Sequence, residues 1–131
     1  MAGEEILLKL NFLEQRAGER KQQVEELEKQ TADLSSLKDS LKEISKKKSE
    51  EILSNLGRGI FLKTRVDDEK VFVNVGSKTI IRKTFQETSD LIDKQLEEIE
   101  RVKSELMGII EEINGELMRL LEEAKNSEKE N

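Results

Sequence analysis

From Glu4 to about residue 49 the chain has no proline and one interior glycine, Gly18, while apolar residues return in three- and four-residue steps. Setting Leu10 at heptad position a puts Ala17, Val24 and Thr31 at a, and Ile6, Leu13, Arg20, Leu27, Leu34 and Leu41 at d. A stripe of that length commits the segment to a long helix that buries one face against another helix. Beyond Leu34 the a sites become polar, at Lys38 and Ser45, and apolar residues move to the g sites Leu37 and Ile44. The seam is therefore expected to drift around the helix in this half.

A second stripe runs from about residue 85 to 126, with a sites at Leu96, Lys103, Ile110, Leu117 and Ala124 and d sites at Ile92, Ile99, Leu106, Ile113 and Leu120. Again a lysine occupies an a site, with Val102 and Ile109 at g taking its place. Thr84-Phe85-Gln86-Glu87 fits a capping box, in which Thr84 and Glu87 each satisfy the other's amide. Two stripes of similar length, roughly 60 to 70 Å as helices, with matching defects read as partners in an antiparallel two-helix coiled coil. The tail at 127–131 is polar and expected to fray.

Between the stripes the period changes from helical to two. GIFLKTRV (59–66) and VFVNVG (71–76) alternate β-branched or aromatic residues with polar ones, and Asp67-Asp68-Glu69-Lys70 between them reads as a hairpin loop. TIIRKT (79–84) follows a short turn, and ILSNL (52–56) precedes Gly57-Arg58-Gly59, which suits a tight reversal. Four short strands in two consecutive hairpins at about 52–84 are the expectation. Two hairpins are too small to stand alone in water, and their edges need partners. The strands are expected to pair and pack with those of other subunits through Ile60, Phe61, Leu62, Val66, Val71, Phe72, Val73, Val75, Ile80 and Ile81. The fold class is mainly α with a small β part: a long antiparallel coiled coil with a central β oligomerisation hub, all one domain.

Composition narrows the function. Of 131 residues 40 % are charged and 34 % hydrophobic, with no Pro, Cys, His, Trp or Tyr. Catalysis would rest on Ser, Lys, Asp or Glu alone, and neither a Walker loop nor a dinucleotide fingerprint is present, so the chain reads as a non-enzyme without cofactor or metal. A net charge of −6 and the lack of stacking aromatics speak against nucleic acid; Lys46-Lys47-Lys48 falls where a helix C-terminus favours cations. No apolar run approaches a membrane span. Glu4, Glu5, Lys9 and Asn11 spoil ILLKLNFL (6–13) as a signal peptide, so the cytoplasm is the expected location.

The central segment LGRGIFLKTRVDDEKVFVNVGSKTIIRKTFQET resembles that of the alpha class of prefoldin subunits in its order of glycines, strands and acidic stretch, the VFVNVG strand most of all. The first strand lacks the proline common in that family, and Ser77-Lys78 stands where a second glycine is common. The likeness covers an ordinary alpha subunit and a divergent paralogue alike. It implies a chaperone that works without nucleotide, with two alpha and four beta subunits joined through their strands into a hexamer. It also implies that coiled-coil tips hold unfolded client proteins and pass them to a group II chaperonin.

The topology puts both chain ends at the coiled-coil tip, where the first turns of the first helix are expected to outrun the last regular turn of the second. There Ile6, Leu10 and Leu13 face the seam, whereas Leu7, Leu8 and Phe12 exceed what a single partner helix buries. Met118 and Leu121 lie outside the a and d sites beside Leu117 and Leu120. These ten residues are the expected client grip. The plainer alternatives are that they close a wider seam or pack tip to tip in a filament. Gly18, Gly108 and Gly115 lie off the seam, either softening the tip or merely tolerated. The rival function is a structural coiled-coil protein that forms filaments or spacers on the same β hub.

Overall fold

The computed structural model describes residues 2–129. Helix α1 (Ala2–Ser45), strands β1 (Glu51–Gly57), β2 (Ile60–Arg65), β3 (Lys70–Asn74) and β4 (Ile80–Thr84), and helix α2 (Phe85–Lys129) follow in order. They divide into two compact units, residues 1–31 with 98–131 and residues 32–97.

In the first unit the helices pack antiparallel around a thin core. Leu13, Ala17 and Ile113 are buried there, with Ile109, Leu117 and Leu120 packed against them. Lys103, at an a site, does not leave the seam. Its side chain is only 25 % exposed and its ammonium reaches Glu28 at 3.5 Å, so the aliphatic stem fills the site while the charge is paired across the helices. The second unit repeats this device with Lys38 and Asp93 at 2.5 Å. The expected drift is thus partial. Ile44, Val102 and Ile109 do turn inward, but Leu37 is exposed and Lys38 keeps its seam position, because an acid on the opposite helix receives it.

Helix α1 ends at Ser45, short of the expected residue 49. Lys46 and Lys47 donate to the carbonyls of Glu43 and Ile44, tightening the last turn. Ser49 then takes a left-handed φ of 68°. That reversal lets the Ser49 amide donate to the Val66 carbonyl and the Val66 amide to that of Glu50, so the final residues serve the sheet rather than the helix. At the other end α2 runs through Ser127–Lys129, which were expected as tail. No proline or glycine stops it there, and Ser127 is half-buried. Residues 130 and 131 of the expected tail lie outside the described residues.

The strands form two separate two-stranded antiparallel sheets, β1–β2 and β3–β4. GIFLKTRV and VFVNVG therefore do not form a hairpin with each other. The reason lies in where the chain can reverse. Arg58 and Gly59 both have positive φ, 52° and 79°, as a two-residue type I′ turn requires, and Gly76, Ser77 and Lys78 are also left-handed. None of Asp67–Lys70 is. That stretch is instead a connector, in which Asp68 accepts from the Lys70 amide and pairs with Arg82 on β4.

Both true turns use the same three-residue device. Asn55 accepts from the Gly57 amide at 2.8 Å and Asn74 from the Gly76 amide at 2.9 Å, each bending the chain just before the reversal. In the first hairpin the register slips between Asn55 and Gly57, a β-bulge. The capping box forms as its sequence predicts. The Thr84 amide donates to Glu87 Oε1 and the Glu87 amide to Thr84 Oγ1, both at 3.0 Å, so β4 ends and α2 begins on the same residue pair.

Candidate binding surfaces

The ten expected grip residues separate into two groups. Leu13 is buried in the core of the first unit, with Leu117 and Leu120 packed against it, and Ile6 and Leu10 are half-buried. These five hold the helices together. Leu7, Leu8, Phe12, Met118 and Leu121 are all more than half exposed, Leu8 and Met118 at 69 % each.

The interhelical ion pair of this unit sets the register. With Glu28 opposite Lys103, Leu10 comes level with Leu121, and Ile6 with Ala124 and Lys125. Helix α2 therefore does cover the first turns of α1, contrary to the expectation that they outrun their partner. The exposed side chains are exposed because of their position around the helix, not because a partner is missing. Leu7 and Leu121 both occupy e sites, which flank one side of an antiparallel seam, while Leu8 and Phe12 lie one turn apart on the outer face. The Arg16 guanidinium sits 5.8 Å from the Phe12 ring, within cation–π range.

In the second unit Ile60, Phe61, Leu62, Phe72, Val75, Ile80 and Ile81 are exposed, Phe72 at 71 %. Val71 and Val73 are half-buried and face inward on β3, and Val66, just past the end of β2, is half-buried as well. Leu53 and Leu56 on β1 are as exposed as these, and the sequence reading passed over them. The alternation along Ile52-Leu53-Ser54 was the available signal: Ile52 and Ser54 turn inward, Ser54 Oγ meeting Thr64 Oγ1 at 2.6 Å, which sends Leu53 outward. Met107 was also missed; it is an exposed e-site residue of α2.

Ionisable groups steady the strand unit. Arg82 stands 5.7 Å from the Phe72 ring, its direct partner across the β3–β4 pair. Partial desolvation pushes the Asp68 carboxyl upward, but the Arg82 guanidinium and the amides of Glu69 and Lys70 outweigh it and hold it below the usual carboxylate range. The Thr84 amide and hydroxyl likewise lower the Glu87 carboxyl. No described helix is long and apolar enough to cross a membrane.

Against known proteins, residues 13–130 match the family model described as Prefoldin subunit. The chain is 29 % identical over 85 residues to prefoldin subunit alpha of Methanosphaera stadtmanae, covering 65 % of this chain and 62 % of that one. It is 32 % identical over 74 residues to prefoldin subunit alpha 1 of Methanocaldococcus jannaschii, covering 56 % and 52 %. Both matches thus span less than two thirds of the curated relatives' lengths. A filamentous prefoldin from Methanocaldococcus jannaschii, determined by cryo-EM, shares the fold with a TM-score of 0.67 at 18 % identity, over 93 % of this chain and 97 % of that one.

Proposed function

We propose, from the premise that this chain belongs to the prefoldin family, that it is the alpha-class subunit of a chaperone that holds non-native proteins without nucleotide hydrolysis. The observation that carries this reading is the set Leu7, Leu8, Phe12, Met118 and Leu121, large apolar side chains left in water on helices otherwise rich in charge. A monomeric soluble protein rarely leaves this many large apolar side chains exposed within one pair of helical segments. Burying one of these side chains against a client is worth about 1.5–3 kcal/mol, so several acting together give weak but additive and reversible attachment.

The outward residues of β1–β4 serve assembly. Each two-stranded sheet leaves backbone donors and acceptors along its outer edges, and the exposed Ile60, Phe61, Phe72 and Ile80 supply apolar cover for a partner strand. Partners of the beta class complete a hexamer of two alpha and four beta subunits, which acts in the cytoplasm and passes clients to a group II chaperonin. Those partners come from the family resemblance. The open sheet edges also favour a second reading, head-to-tail growth into a filament. Light scattering separates the two, since a discrete mass supports the hexamer and an open-ended distribution the filament.

The test of holding replaces Leu7, Leu8 and Phe12 together by Ser in the assembled oligomer. Loss of aggregation suppression for a denatured client, with oligomer mass unchanged, is the expected result. Substitution is the cleaner route than deleting residues 1–13, which would also remove Leu13 from the core.

A further inference from the structure

Charge is divided unevenly along this chain. Residues 1–31 with 98–131 hold 17 of the 29 acidic side chains and 10 of the 23 basic ones, a net charge of −7. Residues 32–97 hold the other 12 and 13, a net charge of +1. The helices that carry the exposed Leu7, Phe12 and Met118 thus account for the whole negative balance. An unfolded chain that meets them enters a field attracting lysine and arginine.

Within the same unit a groove of about 390 Å³ opens along the seam. Val24 and Ile110 form its apolar wall with Met107, whose flexible thioether chain is half exposed. Glu25 and Glu28 from α1 and Glu111 from α2 line its edges with Lys21; Glu28 is already paired with Lys103, so Glu25 and Glu111 carry the acidic character of the groove. Met107 occupies the same e row as Leu121, two heptads away, so the groove lies on the flank that also carries Leu7 and Leu121.

We propose that this groove is a second contact for the unfolded chains held by the exposed leucines, and that it selects segments in which an apolar residue is flanked by lysine or arginine. The inference rests on the client-holding reading and adds a substrate class to it. Its volume suits one or two side chains rather than the face of a folded partner, and its acidic edges complement a basic flank while repelling an acidic one. Because the pairs are exposed, the selectivity is modest and falls with salt.

Three labelled peptides with one apolar centre, flanked by lysines, serines or glutamates, are titrated into the assembled full-length protein by fluorescence anisotropy. The lysine-flanked peptide should bind about tenfold tighter than the glutamate-flanked one at low salt, and the gap should close near 0.5 M salt. The double variant E25Q/E111Q should close it at low salt as well, leaving the serine-flanked affinity unchanged. Met107→Ser should weaken all three. Equal affinity for the lysine and glutamate peptides, or a preference that survives E25Q/E111Q, overturns the proposal. So does a change of oligomer mass in Met107→Ser, which would make the groove a contact between copies. Equal binding of all three that is lost in the Leu7, Leu8 and Phe12 variant would spare the holding reading and sink only the selectivity. No binding of any peptide would sink both.

Discussion

Exposed apolar side chains occur in two settings in this molecule, on paired helices and on two-stranded sheets, and the backbone beneath them differs. Under Leu7, Leu8, Phe12, Met118 and Leu121 every interior amide is spent within its own helix, so these side chains offer area and rotamer freedom without a register. Under Ile60, Phe61, Phe72 and Ile80 the outer strand edges still carry unpaired amides and carbonyls at fixed spacing. A partner for the strands must match that spacing residue by residue, whereas a partner for the helices need only be apolar. Under the proposed function, the same residue types would support specific assembly in one unit and tolerant capture in the other.

The comparison breaks most easily on the strand side. Phe61→Asp combined with Ile80→Asp places charge on both sheets, and the assembly should fall to a much smaller species by light scattering while the helical circular dichroism persists. An unchanged mass would show that assembly does not use these strands. A smaller effect follows from Gly57, whose φ of 113° strains any other residue. Gly57→Ala should destabilise the first hairpin by about 1–3 kcal/mol in denaturant unfolding.

On the helix side Arg20 occupies a d site, and its Nε is buried without a hydrogen-bond partner. Arg20→Leu should stabilise the coiled coil by about 1–2 kcal/mol and raise Tm by a few degrees. Client holding should not change, since the proposed capture surface lies outside the seam; a loss of holding would mean that a loose seam is part of the mechanism. The smallest effect belongs to the capping box. Hydrogen bonds from Thr84 lower the Glu87 carboxyl in the folded state, so its contribution is complete above the unfolded carboxylate pKa and disappears as pH falls through the lowered value. The Tm difference between the native chain and Glu87→Ala should accordingly shrink towards zero on acidification. A difference that grew would contradict the assigned geometry.

Periodicity made the helices, the capping box and the number of strands legible, because those depend on neighbours in the chain. The strand pairing was legible in part: the two consecutive hairpins form as expected, but the stretch that looked most like a hairpin loop does not close one. Asp67–Lys70 looks like a hairpin loop by composition, yet only Arg58-Gly59 and Gly76-Ser77-Lys78 take the left-handed backbone that reverses a ladder. Two of these, Arg58 and Lys78, are residues whose identity does not announce it. Polar seam residues were likewise misleading. Lys38 keeps its place because Asp93 waits on a helix about fifty residues away in sequence, and a single-helix heptad frame contains no such information. Among the grip candidates the frame did separate Leu7, Leu8 and Phe12 from Leu13. It missed Met107, because an apolar e-site residue beside the seam residues Leu106 and Ile110 looks like part of the seam until a groove lies beside it.

The central claim is that the helical surface captures and the strand surface assembles, each without the other's residues. The most direct test is suppression of client aggregation by the L7S/L8S/F12S protein, with oligomer mass measured on the same sample. Abolished suppression at native mass is the predicted result. Full suppression at native mass would contradict the account.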